Sequence, residues 1–101
     1  MADFIARYER MTGRPVHFLT GTDEHGQKIV QKAREADMEP QTFVDAKSAR
    51  FQELCEALAL SHTVFYRTTS PEHKKTVEAF WKAVDKNGYI YKKKYKGLYC
   101  I

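Results

Sequence analysis

Two carboxylates and an imidazole stand side by side in the segment Thr22-Asp23-Glu24-His25-Gly26. They follow an apolar run, Val16 to Leu19, and a turn of small residues that includes Gly21, and they precede an amphipathic stretch. This order predicts a strand, a tight loop and the start of a helix. Ligands bind at the carboxyl ends of the strands in open parallel α/β sheets. The sequence therefore predicts a binding site in this loop.

Asp23 is the main candidate, because a carboxylate at the end of a strand can receive the ammonium group of a substrate in a charge-assisted hydrogen bond. Alternatively, Asp23 or Thr22 caps the next helix, and Glu24 interacts favourably with the helix dipole. Both roles can hold together. His25 can donate a hydrogen bond to a phosphate or carboxylate, or transfer a proton; alternatively, the backbone satisfies its ring.

The remaining motifs indicate no further chemistry. The sequence contains no glycine-rich dinucleotide motif and no P-loop. His62 and His73 match no metal-binding spacing, and we interpret both as structural. Cys55 is predicted to be a small core residue. A structural zinc site at Cys100 would need another cysteine a few residues further on.

Composition limits the class of protein. A chain of 101 residues and 11.8 kDa is at most one domain with a modest core. Its 43% hydrophobic content argues against disorder. No apolar run approaches the roughly 20 residues that span a bilayer, so we expect no membrane partner. Two cysteines and the lack of a secretory leader pattern favour the cytoplasm.

The net charge of +4 is concentrated near the carboxyl end, at Lys92-Lys93-Lys94 and Lys96, among interleaved tyrosines. A basic, aromatic-rich strand can contact nucleic acid. The alternative, which composition favours, is an edge strand that its lysines protect from aggregation.

Periodicity and punctuation predict alternating helices and strands. The predicted helices are Ala2 to Thr12, about Glu24 to Asp37, one from near Pro40, and one from Ser70-Pro71 to Asn87-Gly88. The predicted strands are Val16 to Leu19, Ser61 to Tyr66 and Tyr89 to Tyr91, the last followed by a turn at Lys96-Gly97 into Leu98-Tyr99-Cys100. This order predicts an α/β fold, a partial Rossmann-like parallel sheet with helices that ends in a β-hairpin. Because one or two parallel strands are not self-sufficient, we interpret the chain as part of a larger nucleotide-binding fold.

Apolar residues recur at helical spacing in three of these helices. They predict the faces that pack inward: Phe4, Ile5, Tyr8 and Met11 in the first helix; Phe43, Val44, Phe51, Leu54, Cys55 and Leu58 in the third; and His73, Val77, Phe80, Trp81 and Val84 in the fourth.

Segments along the whole chain resemble methionyl-tRNA synthetase, a class I aminoacyl-tRNA synthetase. They are Ala2 to Tyr8, Gly13 to Ile29 with its Thr-Asp-Glu-His-Gly core, Arg67 to His73, and Asn87 to Cys100. The resemblance implies that residues 1–88 belong to the Rossmann-like catalytic domain. It also implies that residues 89–101 begin the connective peptide, an insertion that carries a zinc knuckle in some members.

The resemblance implies a methionine–tRNA ligase. Methionine and ATP, with Mg²⁺, give methionyl-adenylate and pyrophosphate, and the methionyl group then passes to tRNA. Asp23 would hold the ammonium group of methionine. Gly21, Thr22, Glu24, His25 and Gly26 would shape the pocket, and no residue of this chain is assigned as catalytic. Cys100 would be the first ligand of a structural zinc.

The His-Ile-Gly-His and Lys-Met-Ser-Lys-Ser signatures of the family lie outside these 101 residues. We therefore expect that the 101 residues alone neither activate methionine nor charge tRNA. Two alternatives remain: a free-standing RNA-binding module that uses Lys92 to Lys96, and a structural α/β fragment without catalysis.

Overall fold

A computed structural model describes residues 1–94, 96 and 97. Along these residues the elements are α1 (Ala2–Met11), β1 (Leu19–Thr22), α2 (Gln27–Glu35), α3 (Pro40–Ala57), β2 (Val64–Arg67) and α4 (Pro71–Lys86). The strands β1 and β2 pair in parallel, with Leu19 opposite Val64 and Thr22 opposite Arg67. The α/β class and the parallel pairing are therefore as predicted.

Most helix ends lie where the sequence places them. Gly13, with φ of +80°, follows the end of α1, and Gly88, with φ of +74°, follows the end of α4. Pro40 and Pro71 occupy the first turns of α3 and α4. The Oγ atom of Ser70 accepts a hydrogen bond of 3.2 Å from the backbone N–H of His73, which confirms Ser70 as the N-cap of α4.

The boundaries around the first strand differ from the prediction. β1 begins at Leu19, not Val16, and it includes Gly21 and Thr22, which were predicted to be in a turn. Gly21 lies opposite Tyr66, and a Cβ atom at this position would overlap the Tyr66 carbonyl. The strand extends through these residues because glycine permits this close approach. β2 is likewise shifted to Val64–Arg67 from the predicted Ser61 to Tyr66.

Helix α1 packs through its polar face, contrary to the prediction from its apolar stripe. The Oδ1 atom of Asp3 accepts hydrogen bonds of 2.6 Å from both the backbone N–H and the hydroxyl of Ser61. Arg10 donates to the same hydroxyl at 2.7 Å, and Arg7 donates to the carbonyl of Ala59. The bonds from Ser61, together with Arg7, hold the pKa of Asp3 well below its usual range. The predicted stripe is exposed at Phe4, Ile5, Tyr8 and Met11.

The other predicted apolar faces are only partly covered. In α3, Val44 and Cys55 are buried as predicted, whereas Phe51, Leu54 and Leu58 are more than half exposed. In α4 the predicted burial is wrong for Val77, Phe80 and Trp81, which are exposed. Within the described residues the small sheet packs mainly against α3, which in turn packs against α2, so these faces have no covering layer. Periodicity predicts which face of a helix is apolar, but not whether another element covers it.

After α4 the chain has no regular structure in its described part. Tyr89 to Tyr91 and Lys92 to Lys94 form no strand, so the edge-strand interpretation of these lysines is wrong. The reason is that none of the described residues pairs with them. Leu98 to Cys100, the second arm of the predicted hairpin, lies outside the described residues. Among the described helices none is both long and apolar enough to cross a membrane.

Candidate functional site

The carboxyl ends of the two strands meet at one edge of the sheet. Thr22 and Arg67 are the last residues of β1 and β2, and they lie opposite each other in the register. The loops that follow, residues 23–26 and residues 68–70, therefore leave the sheet side by side. This places the predicted binding loop against a second segment, Arg67-Thr68-Thr69, which lies 43 or more residues further along the chain.

Glu24 is the centre of this contact. Its side chain is 2% exposed, and its carboxylate forms a bidentate ion pair with the guanidinium of Arg67. The Nε atom of Arg67 donates to Oε1 at 2.8 Å, and Nη2 donates to Oε2 at 3.0 Å. The hydroxyl of Thr22 donates to Oε1 at 2.6 Å, and the hydroxyl of Thr69 donates to Oε2. Each carboxylate oxygen of Glu24 therefore accepts two hydrogen bonds.

These bonds keep Glu24 charged. Burial by itself would raise the pKa of the Glu24 carboxyl, but the hydrogen bonds from Arg67, Thr22 and Thr69 outweigh it, and the pKa is lowered. The hydrogen bonds to Glu24 and then Asp45 raise the pKa of Arg67. The Oδ1 atom of Asp45, in α3, lies 2.5 Å from Nη2 of Arg67, and this bond lowers the pKa of Asp45. One guanidinium is thus shared by a buried and an exposed carboxylate.

The backbone of the loop is fixed to the same segment. The N–H of Glu24 donates to the hydroxyl of Thr68 at 2.9 Å. The Nε2 atom of His25 lies 3.0 Å from the carbonyl oxygen of Thr68, which can only accept, so Nε2 carries the proton. The prediction that the backbone satisfies His25 is confirmed for this nitrogen. The other ring nitrogen, Nδ1, makes no hydrogen bond with the residues that the structure describes.

Asp23 differs from both of its neighbours. It is exposed at the carboxyl end of β1, and it makes no hydrogen bond or ion pair with any residue in the described part of the chain. The helix-cap alternative is wrong, because α2 begins only at Gln27 and its N-cap is Gly26, with φ of +115°. Glycine can adopt this φ, which is not helical. Helix α2 therefore does not extend back to Glu24, where it was predicted to begin. The carboxylate of Asp23 is therefore available to a cationic ligand.

The structure thus brings four predicted residues, Asp23 to Gly26, into one loop, and it places Gly21 and Thr22 in the adjoining strand. Sequence reasoning assigned no role to Arg67, Thr69 or Asp45, although the resemblance had singled out the segment that contains the first two. No group of three His, Cys, Asp or Glu side chains that could hold a metal occurs within residues 1–94, 96 and 97. Cys100 lies outside the described residues, so its role as a zinc ligand stays a prediction.

Comparison with known proteins identifies the family of the chain. The family model described as tRNA synthetases class I (M) matches residues 1–101. The methionine–tRNA ligase of Thermotoga maritima is 48% identical over 101 residues, which are 100% of this chain and 16% of that protein. The methionine–tRNA ligase of Rickettsia prowazekii is 47% identical over 99% of this chain and 20% of that protein. The chain therefore spans no more than a fifth of the length of these relatives.

A crystal structure of Mycobacterium tuberculosis methionyl-tRNA synthetase, bound by methionyl-adenylate, is similar in fold. It superposes with a TM-score of 0.83 at 38% identity, over 86% of this chain and 17% of that one. A match to the family model along the whole chain, together with this structural similarity, establishes the family. The chain belongs to the class I tRNA synthetases of the methionyl type.

Proposed function

We propose that these 101 residues form a segment of a methionine–tRNA ligase, which activates methionine with ATP and transfers it to tRNA. The observation that carries the proposal is the 48% identity to the Thermotoga maritima ligase along the entire chain. The methionyl-adenylate bound to the Mycobacterium tuberculosis enzyme supports methionine and ATP as substrates, because their condensation gives that adenylate. In this proposal residues 1–88 are part of the catalytic domain, and residues 89–101 begin the connective peptide.

Asp23 is the residue that we assign to methionine. Its exposed carboxylate has no partner among the described residues, and it lies where the two parallel strands end, as a binding group for an ammonium should. An ion pair there would hold the amino acid by its nitrogen and leave its own carboxylate free to attack the α-phosphorus of ATP. Gly21, Thr22, Glu24, His25 and Gly26 would shape the pocket around that contact.

The proposed ligase would also bind two kinds of metal ion, Mg²⁺ and zinc. Mg²⁺ would accompany ATP as the counter-charge of its phosphates. Cys100 would supply a thiolate to a structural zinc, which thiolate ligands suit. Neither role changes the assignment of Asp23.

The first experiment measures the size of the native protein that contains these residues. An immunoblot of source cells with an antibody against residues 27–50 should give a band several times larger than 11.8 kDa. A band at 11.8 kDa would contradict the proposal, because a product of that size lacks most of the ligase. RNA binding by Lys92 to Lys96 would then be the next question.

The second experiment tests the site in the full-length enzyme. Asp23→Asn should raise the KM for methionine in pyrophosphate exchange by about 10- to 100-fold, because a charge-assisted bond to a carboxylate is worth about 1.5–3 kcal/mol. The KM for ATP should change little. Asp37→Asn is the matched control, because Asp37 is exposed just beyond the end of α2 and away from the loop. An unchanged KM for methionine in Asp23→Asn would contradict the assignment.

A further inference from the structure

The side chains of residues 23–25 point in alternating directions. Glu24 is turned inward and buried, whereas Asp23 before it and His25 after it are exposed. Because Asp23 is directly bonded to Glu24 along the backbone, anchoring Glu24 restricts where the Asp23 carboxylate lies. The Asp23 side chain makes no hydrogen bond with a described residue. Its position therefore depends on the contacts of its neighbour Glu24.

The anchor is unusually complete. Glu24 is attached to residues 67–69 through its backbone N–H and through three side-chain hydrogen bonds, two of them from the fork of Arg67. A fourth side-chain hydrogen bond comes from Thr22 in β1. A two-point contact between a guanidinium and a carboxylate fixes orientation as well as distance. The hydrogen bond from His25 to Thr68 adds a third attachment on the other side of Glu24. The loop therefore has little freedom to rotate.

The anchor also has an electrostatic consequence. A second free carboxylate beside Asp23 would compete with it for a cationic ligand and pull that ligand out of position. Arg67 pairs with Glu24 and also with Asp45, so one positive charge is shared by two carboxylates. Within residues 23–25, Asp23 is thus the carboxylate that has no ion-pair partner among the described residues, whereas Glu24 has one.

We propose that the Glu24–Arg67 pair is a positioning device that orients Asp23 toward the ammonium group of the amino-acid substrate. Glu24 and Arg67 do not touch the substrate in this role; they act through Asp23. The proposal rests on the proposed function, since it assumes that Asp23 receives that ammonium.

The test is a double-mutant cycle in the full-length enzyme, read as the KM for methionine in pyrophosphate exchange. Glu24→Gln should raise this KM by about 10- to 100-fold, because small misplacements of a binding group have effects of that size. The KM for ATP should stay within about twofold. In the Asp23→Asn background, Glu24→Gln should have no further effect, because the group that it positions has already been removed.

Two further variants keep the result interpretable. Glu35→Gln is the matched control, since Glu35 is an exposed glutamate paired with Lys32 near the far end of α2. Thr69→Val removes one donor to Glu24 while it keeps the side-chain volume, and it should raise the KM for methionine by about threefold even if Glu24→Gln folds poorly. Circular dichroism spectra of all variants report whether the fold is kept.

The outcomes separate the inference from the proposed function. An equal rise in the KM for methionine when Glu24→Gln is made in wild-type and in Asp23→Asn enzyme would overturn the positioning role, because the two residues would then act independently. An unchanged KM in folded Glu24→Gln and Thr69→Val enzyme would overturn it as well. An unchanged KM in Asp23→Asn would instead overturn the proposed function of Asp23, and the inference with it.

Discussion

Two carboxylates share the guanidinium of Arg67, and they differ mainly in burial. The Glu24 side chain is 2% exposed and that of Asp45 is 51% exposed. Neutralising each in turn, as Glu24→Gln and Asp45→Asn, therefore compares a buried with an exposed partner of the same cation. We expect the two changes to destabilise the loop by clearly different amounts.

The structure sets the size of each effect. Removing one member of a buried ion pair costs about 3–5 kcal/mol, because the other charge is left without compensation. Arg67 is 27% exposed and would still be paired with Asp45 in the variant. We therefore expect Glu24→Gln to cost less than a fully buried pair would, about 2–3 kcal/mol. An exposed ion pair is worth at most about 1 kcal/mol, so Asp45→Asn should fall below that value.

Hydrogen–deuterium exchange of the full-length protein measures the local stability of the loop. It does not require the assumption that a large chain unfolds in two states. Peptides covering residues 18–26 and 64–70 should exchange about 30- to 150-fold faster in Glu24→Gln, and less than about fivefold faster in Asp45→Asn. Peptides from α4 provide the internal reference. Equal acceleration by the two variants, or no acceleration by Glu24→Gln, would refute the reasoning that burial determines the strength of this ion pair.

Three further predictions concern other parts of the same framework. The pKa of Glu24 is lowered from 4.5 in the folded protein. The charged carboxylate should therefore contribute fully to stability above pH 4.5, and this contribution should be lost as the pH falls through the folded-state pKa. The difference in melting temperature between wild type and Glu24→Gln should accordingly shrink below pH 4.5. Gly21→Val should cost more than about 3 kcal/mol, visible as loss of soluble enzyme or of cooperative melting, because its side chain would overlap the Tyr66 carbonyl; a melting curve like that of wild type would contradict the strand register. Ser70→Ala should cost about 1 kcal/mol and accelerate exchange in the first turn of α4 about fivefold, whereas Ser70→Asp should preserve protection.

Local sequence signals were sufficient for most of the helix ends. Gly13, Pro40, Ser70 and Gly88 each act through the conformation of one or two residues, and the structure has helix ends at all four. The start of α2 was misplaced because Gly26 was not recognised as a helix boundary. The error in β1 is of another kind, because the pairing with β2 determines where the strand ends. Strand limits depend on a distant partner, and a single sequence does not contain that information.

The loop that carries the candidate site was predicted from the sequence, but the contacts that hold it were not. The loop of Asp23 and His25 follows from the order of strand, turn and helix. The burial of Glu24 does not, since its partner Arg67 is 43 residues away and both residues resemble ordinary surface charges in the sequence. The exposed apolar side chains of α1 and α4 illustrate the same restriction. The amphipathic pattern is local, whereas burial depends on which elements are neighbours in space.

The separation of 45 residues between the paired strands has a consequence for synthesis on the ribosome. At about 5–20 residues per second, β2 is translated about 2–9 s after β1. During that interval Glu24 lacks its Arg67 partner, and β1 presents an unpaired edge beside α3. The β1–β2 pairing and the Glu24–Arg67 contact can therefore form only after Arg67 has left the exit tunnel. Translation speed across α3 sets how long the nascent chain carries an open strand.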